Sequence, residues 1–199
     1  MTRVAFAGHI AGFGSRAGIR MVVGVWQQSP FGSFADVMVQ TADDTRLLLA
    51  PSAQIAEFIS ATYSFDEVLV VPVTADLQPE RLCVTAPDLE VTVELAGAAP
   101  VDRLLRWVPG FLATAPWWLR LIDPIASRIV PGVHTAGTAG NGRREYYGVR
   151  RSREIGAVSG RFRDTPLGGL ADLSPPVGFG FSSAPPAPQL VSVTTTIFL

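Results

Sequence analysis

Apolar residues along this chain recur mostly with a period of two, and the places where that period changes mark the elements. Residues 88–96 alternate cleanly, with Leu89, Val91, Val93 and Leu95 on one face and Glu90, Thr92 and Glu94 on the other. That pattern predicts a strand with one face in a core. Arg20–Gln28 and Phe34–Gln40 are rich in β-branched and aromatic residues, and Ser29-Pro30-Phe31-Gly32-Ser33 between them supplies a turn. Arg46–Ala50 follows the polar turn Asp43-Asp44 as a third strand. The period then lengthens: Ile55, Phe58, Ile59 and Thr62 fall at i, i+3, i+4 and i+7, predicting a helix over 52–63 that packs on the sheet. Pro51 and Ser52 suit its start. The unbroken apolar run 67–72 reads as a strand covered on both faces. Residues 3–7 read as a short strand, followed by a loop rich in glycine (Gly8, Gly12, Gly14, Gly18).

In the second half, residues 104–130 are helical in pattern, but Pro109, Pro116, Pro124 and Pro131 forbid one continuous rod. Asp123-Pro124 reads as an N-cap and first helical residue, starting a helix over 124–130. Trp107, Trp117 and Trp118 lie in this segment with Arg106, Arg120 and Arg128. The tryptophans are expected to plug the core or a subunit interface rather than meet a membrane, since the arginines form no broad cationic face. Residues 144–149 and 154–163 read as strands beside the turn pair Asn141-Gly142. A Pro/Gly/Ser-rich connector, 174–188, leads to Gln189–Phe198, whose Val and Thr content suits a central strand. The chain therefore reads as one domain, 1–199, mostly β (α+β) and mostly antiparallel, with one packed helix and a Trp/Pro-rich helical insert over 102–131.

Composition narrows the function classes. The chain has 199 residues, 48% of them apolar, with mean hydropathy +0.30, ample for a large core. A net charge of −1 gives no reason to expect a nucleic-acid partner, and the seven arginines of 132–163 sit in no nucleic-acid-binding module. The uncharged run 107–119, interrupted by two prolines, is broken by Arg120 before it could span a bilayer. All 16 basic residues are arginine. Without a lysine side chain, imine catalysis and lysine general-base catalysis are closed to this chain. The single Cys83 excludes an internal disulfide and a cysteine-cluster metal site. Gly12-Phe13-Gly14 with Gly18 lacks the helix that a dinucleotide-binding loop needs directly after its glycines. No secretory pattern opens the chain, so a soluble, cytoplasmic protein is expected.

Residues 132–163 hold the densest candidate chemistry: His134, a Gly-rich turn, adjacent Tyr146 and Tyr147, and seven arginines. On a strand, Arg144, Tyr146 and Gly148 share one face and Arg143, Glu145 and Tyr147 the other. Arg144 and Tyr146 are thus expected to offer a cation and a phenol to a ligand in a cavity, with His134 at its mouth. Glu90 and Glu94 are the candidate partners within the chain should no ligand carboxylate pair with Arg144. A solvated basic face with Arg–Glu pairing is the alternative. No ligand spacing supports a metal, no catalytic serine elbow is present, and no cofactor is expected.

The order of elements resembles the acetoacetate decarboxylase-like superfamily. SPFGSFADVMVQ precedes LLLAPSAQIAEFISATY where that family has a strand and helix, and REYYGVRRSREIGAVSGRF with QLVSVTTTIF resembles its closing antiparallel segments. The resemblance implies a sheet curled into a cone or barrel around a small-molecule pocket, often in a homo-oligomer. The family's catalytic Schiff-base lysine has no counterpart here, so the resemblance carries fold and pocket and no activity. It implies a binding protein for a small carboxylate, carbonyl compound or apolar metabolite; an interaction or oligomerisation protein built on the Trp-rich segment is the other reading. Borohydride treatment with acetoacetate or pyruvate is therefore expected to leave no adduct on an interior side chain. Peptide mass mapping checks this, with modification of the N-terminal amine alone being neutral and an interior mass shift contradicting it.

Overall fold

The computed structural model describes residues 3–129, 135–138, 142–180 and 184–198. Its elements are β1 (Arg3–Ser15), β2 (Arg20–Gln28), β3 (Phe34–Gln40), β4 (Arg46–Ala50), α1 (Ala53–Ser60), β5 (Glu67–Val70), β6 (Thr74–Leu77), β7 (Arg81–Ala86) and β8 (Leu89–Ala98). Three helices follow, α2 (Asp102–Leu105), α3 (Gly110–Ala113) and α4 (Pro116–Ile129). Then come β9 (Ala136–Thr138), β10 (Arg144–Phe162), β11 (Thr165–Pro166), β12 (Leu170–Ala171) and β13 (Gln189–Phe198). One sheet in the order β5-β4-β3-β2-β1-β13-β10-β8-β7-β6 joins the main strands. Every pairing is antiparallel except β4 with β5, which α1 connects as a crossover.

Register shifts at Ala7/Gly8, Val149/Arg151, Arg153/Ile155 and Ile155/Ala157 bend the long strands, and the sheet curls into a half-barrel. Its inner face forms one core in which Val37, Val39, Leu47 and Leu49 from one end meet Leu82, Val84, Val91 and Val93 from the other. Because side chains alternate, the same strands send Val22, Gly24 and Trp26 of β2, and Phe34, Asp36 and Met38 of β3, to the outer face. Helix α1 covers part of that face, packing Ile55, Ala56 and Ile59 on Leu48 and Ala50. The Ile55 amide donates to Ser52 Oγ at 3.3 Å, the cap expected from Ser52. A segment carrying Leu173, Val177 and Phe179 covers more of it.

The sequence expectations hold for β2, β3, β4, α1, β8 and β13, and four others are corrected. Gly8, Gly12 and Gly14 form no loop, since β1 runs on through them to Ser15; Gly18 alone lies in the turn to β2, at φ +77°. A Cβ on Gly8 would lie 2.2 Å from the Val25 carbonyl oxygen, so that glycine marks a close approach of two strands at a bulge. The run after Glu67 is not covered on both faces but forms β5 at the sheet edge, where Val68 and Val70 are exposed. The two strands expected over 144–149 and 154–163 are one strand, β10. Finally, Pro124 lies inside α4 instead of starting a helix, and Asp123 accepts from the Thr135 and Ala136 amides instead of capping. The turn pair Asn141-Gly142 falls partly outside the described residues.

For two of the tryptophans the core half of the expectation is corrected. Trp107 is 87% and Trp117 62% exposed, so neither plugs this chain's core. Helix α2 is pinned to β10 by Asp102, which accepts from the Ser152 amide at 2.9 Å and from the Arg151 and Arg106 guanidiniums at 3.0 and 2.9 Å. These donors hold the Asp102 carboxyl down at about 2. No helix among the described residues is long and apolar enough to cross a membrane.

Candidate functional site

The outer face of the sheet, roofed by α1 with Val177, Phe179, Ala184 and Pro185, forms a cavity of about 190 Å³. Its walls are apolar: Phe6, Trp26, Phe34 and Phe58 on one side, and Val177, Val191, Val193 and Ile197 among the rest. The rings hold one another, with Phe6 5.7 Å from Trp26 and 5.3 Å from Phe58 between centroids. Asp36, Thr62, Tyr63, Tyr147 and Thr195 bring polar atoms to this lining. No arginine or histidine lines it among the described residues.

Asp36 comes from alternation on β3, where it shares the outer face with Phe34 and Met38. Its Oδ1 accepts a hydrogen bond from Trp26 Nε1 at 2.8 Å. Gly24, opposite Asp36 in register, makes that bond possible, because a Cβ there would sit 2.5 Å from both bonded atoms. Asp36 is 3% exposed, and burial pushes its pKa up to about 7, against the opposing effect of the indole hydrogen bond.

The second polar group is a ring of three oxygens. Tyr63, just past the C-terminus of α1, and Tyr147, on β10, place their hydroxyls 3.0 and 2.8 Å from Glu145 Oε2, and they also hydrogen-bond each other. The two phenols bring two protons to three contacts. A third proton, and so a closed ring in which each oxygen donates once and accepts once, is present only when Glu145 is a carboxylic acid. Burial raises the Glu145 pKa in that direction, while the phenols and the charge of Arg143 oppose it. Burial, foremost, also lifts both tyrosines well above the ordinary phenol range. Glu145 Oε1 and Thr195 Oγ1 are buried without a hydrogen-bond partner, and Thr195 lies beside Tyr147 in register, in the cavity wall.

The sequence-derived candidates Arg144 and Tyr146 lie around a different opening from this cavity. Arg144 and Tyr146 do share a face of β10, but it is the face opposite Glu145 and Tyr147. Tyr146 is buried with the Arg120 guanidinium 5.2 Å from its ring centre, and Arg144 is exposed. Together they line a shallow polar recess with Arg120, Asp123 and β9. Glu90 and Glu94 are exposed on β8, in register with Arg161 and Ala157 of β10. Ala157 stands thirteen residues from Arg144, about 40 Å of extended strand. The pairing of Arg144 with either glutamate is therefore corrected: register separates them. His134 lies outside the described residues. Among those residues no group of three His, Cys, Asp or Glu side chains could hold a metal.

Asp36, Tyr63 and Thr195 were not singled out from the sequence, and Glu145 and Tyr147 were placed on one face of their strand without being chosen as the ligand-facing side. The signal for Asp36 was present, a lone acid between Phe34 and Met38 on one face of an apolar strand. Tyr63 carried none, since its meeting with Tyr147 spans 84 residues.

A scan against models of protein families matches none of them, and a search of curated proteins returns no similar chain. Among solved structures the fold is similar to that of acetoacetate decarboxylase from Legionella pneumophila subsp. pneumophila str. Philadelphia 1, over 100% of this chain and 85% of that one, at 8% identity and a TM-score of 0.46. A likeness of that degree says nothing about chemistry in the cavity.

Asp36 yields a prediction about stability. Its folded pKa lies above the unfolded value, so its contribution is full below about 4 and is lost as pH rises through about 7. Asp36→Asn, which keeps an acceptor for Trp26, is expected to raise the thermal midpoint at pH 8 by ~5–10 °C relative to its effect at pH 4. Melting curves across that range check this, and parallel profiles for the two proteins would contradict it.

Proposed function

We propose that this protein binds an uncharged, largely apolar small molecule carrying one carbonyl or hydroxyl group in the outer-face cavity. The observation that carries the reading is the lining: aromatic and aliphatic walls with a few convergent polar atoms and no cation among the described residues. Of the three ligand classes implied by the family resemblance, the carboxylate fits worst. An anion entering here would lose its hydration beside Asp36 and the Glu145 cluster, and the nearest guanidinium among the described residues, Arg143, lies behind Phe58 and Thr62 and is engaged by both. A neutral carbonyl needs only a donor, which Tyr147, Thr195 or the acid form of Asp36 supplies.

A second reading, an interaction protein, is favoured by Trp107, Trp117, Leu104 and Leu121, each more than half exposed on or beside α2 and α4. These side chains would serve a self-association surface in a homo-oligomer.

The binding reading is tested by fluorescence. Trp26 lines the cavity, so cyclohexanone is expected to change its emission saturably, and Trp26→Phe to remove that change. Cyclohexanecarboxylate at pH 7.5 is expected to bind at least ~10-fold more weakly, the discrimination a desolvated, unpaired charge imposes. Equal binding of the carboxylate would contradict the reading.

A further inference from the structure

The cavity holds more polar chemistry than a passive apolar pocket needs. Asp36 Oδ1 is engaged by Trp26, while its Oδ2 has no partner among the described residues and the side chain lines the cavity. Thr195 Oγ1, in the same wall, has no partner either. Tyr147 and Tyr63 also line it, hydrogen-bonded to each other and to Glu145. Asp36, Tyr63 and Tyr147 all line this one cavity.

We propose that the cavity catalyses proton transfer at the carbon next to a ketone or enone carbonyl, with Asp36 as the base and Tyr147 as the donor to the carbonyl oxygen. This rests on the reading of the cavity as a site for neutral carbonyl compounds. The Asp36 carboxylate takes the proton from the α carbon. The C–H electron pair becomes the C=C bond, and the C=O π pair moves to oxygen as an enolate. When the Asp36 acid trades its proton with water before returning a hydron to the same carbon, the α position is exchanged, and return to the far carbon of a dienolate moves the double bond. Nothing is oxidised or reduced.

The oxygen ring suits the other half of the step. When Glu145 is a neutral acid, it can donate to Tyr63, Tyr63 to Tyr147, and Tyr147 to the developing oxyanion. The ring thus exchanges its Tyr147–Glu145 contact for one to the substrate, and each donor polarises the next. With Glu145 ionised, both phenols would instead point at it and none would remain for the substrate. Tyr63 and Glu145 are positioning residues in this arrangement, acting through Tyr147. An Asp36 that titrates near neutrality can both take and return a proton at physiological pH.

The test follows loss of the α-proton signals of cyclohexanone in D2O by proton NMR at pH 7.5, with binding measured by Trp26 fluorescence in the same samples. Exchange above the buffer rate is expected, rising with pH through about 7. Asp36→Asn is expected to bind the ketone and lose at least ~100-fold in exchange. Tyr147→Phe is expected to lose ~100-fold. Glu145→Gln, which restores a donor beside Tyr63, is expected to stay within ~10-fold of wild type. Binding without exchange above the buffer rate overturns proton transfer and leaves the binding reading intact. Unchanged exchange in folded Asp36→Asn also overturns it. Absence of binding overturns both.

Discussion

Burial of two carboxyl groups against aromatic walls is the constraint on which the cavity depends. A carboxylate removed from water must pair, accept several hydrogen bonds or take up a proton. Asp36 accepts one bond from Trp26 and is pushed up to about 7. Glu145 gathers two phenols, an arrangement complete only with the acid form. In each case burial favours the protonated form more than water does. The guanidinium nearest the cavity among the described residues, Arg143, stacks on the outside of Phe58 and donates to the Phe58 carbonyl and Thr62, so it backs the wall without lining it.

The sheet explains how such a space comes to exist. Curling commits the inner face to one continuous core, which leaves the outer face of β1, β2, β3, β10 and β13 to be roofed by short pieces. An eight-residue helix and a segment between β12 and β13 cannot fill that area as a second sheet would. What remains between roof and sheet is a cavity rather than a packed layer. Tyr63, at the junction of α1 and the next strand, ties roof to sheet through its bonds to Glu145 and Tyr147.

Local periodicity made β8, α1 and β13 legible, because a single buried face leaves an unambiguous mark on the sequence. It misread the glycines of β1, since a glycine that admits a neighbouring backbone looks the same as one that makes a loop. It split β10 because the polar stretch Arg150–Arg153 interrupts the apolar pattern while pairing with β13 continues through the bulge. At the candidate site alternation correctly separated Arg144 and Tyr146 from Glu145 and Tyr147. Which face meets helix α4 and which meets the cavity is decided by contacts far apart in sequence. That step was not legible, and Arg144 and Tyr146 fell on the side of the strand that meets the recess beside α4, opposite the outer-face cavity.

The most direct test of the account is a crystal structure of the protein with a brominated cyclohexanone bound, its halogen located by anomalous scattering. The account predicts the ring between Phe6, Trp26 and Phe58, with its carbonyl oxygen within ~3 Å of Tyr147 Oη or Thr195 Oγ1. A halogen found in the recess of Arg120, Arg144 and Tyr146, with the outer-face cavity unoccupied, would contradict it.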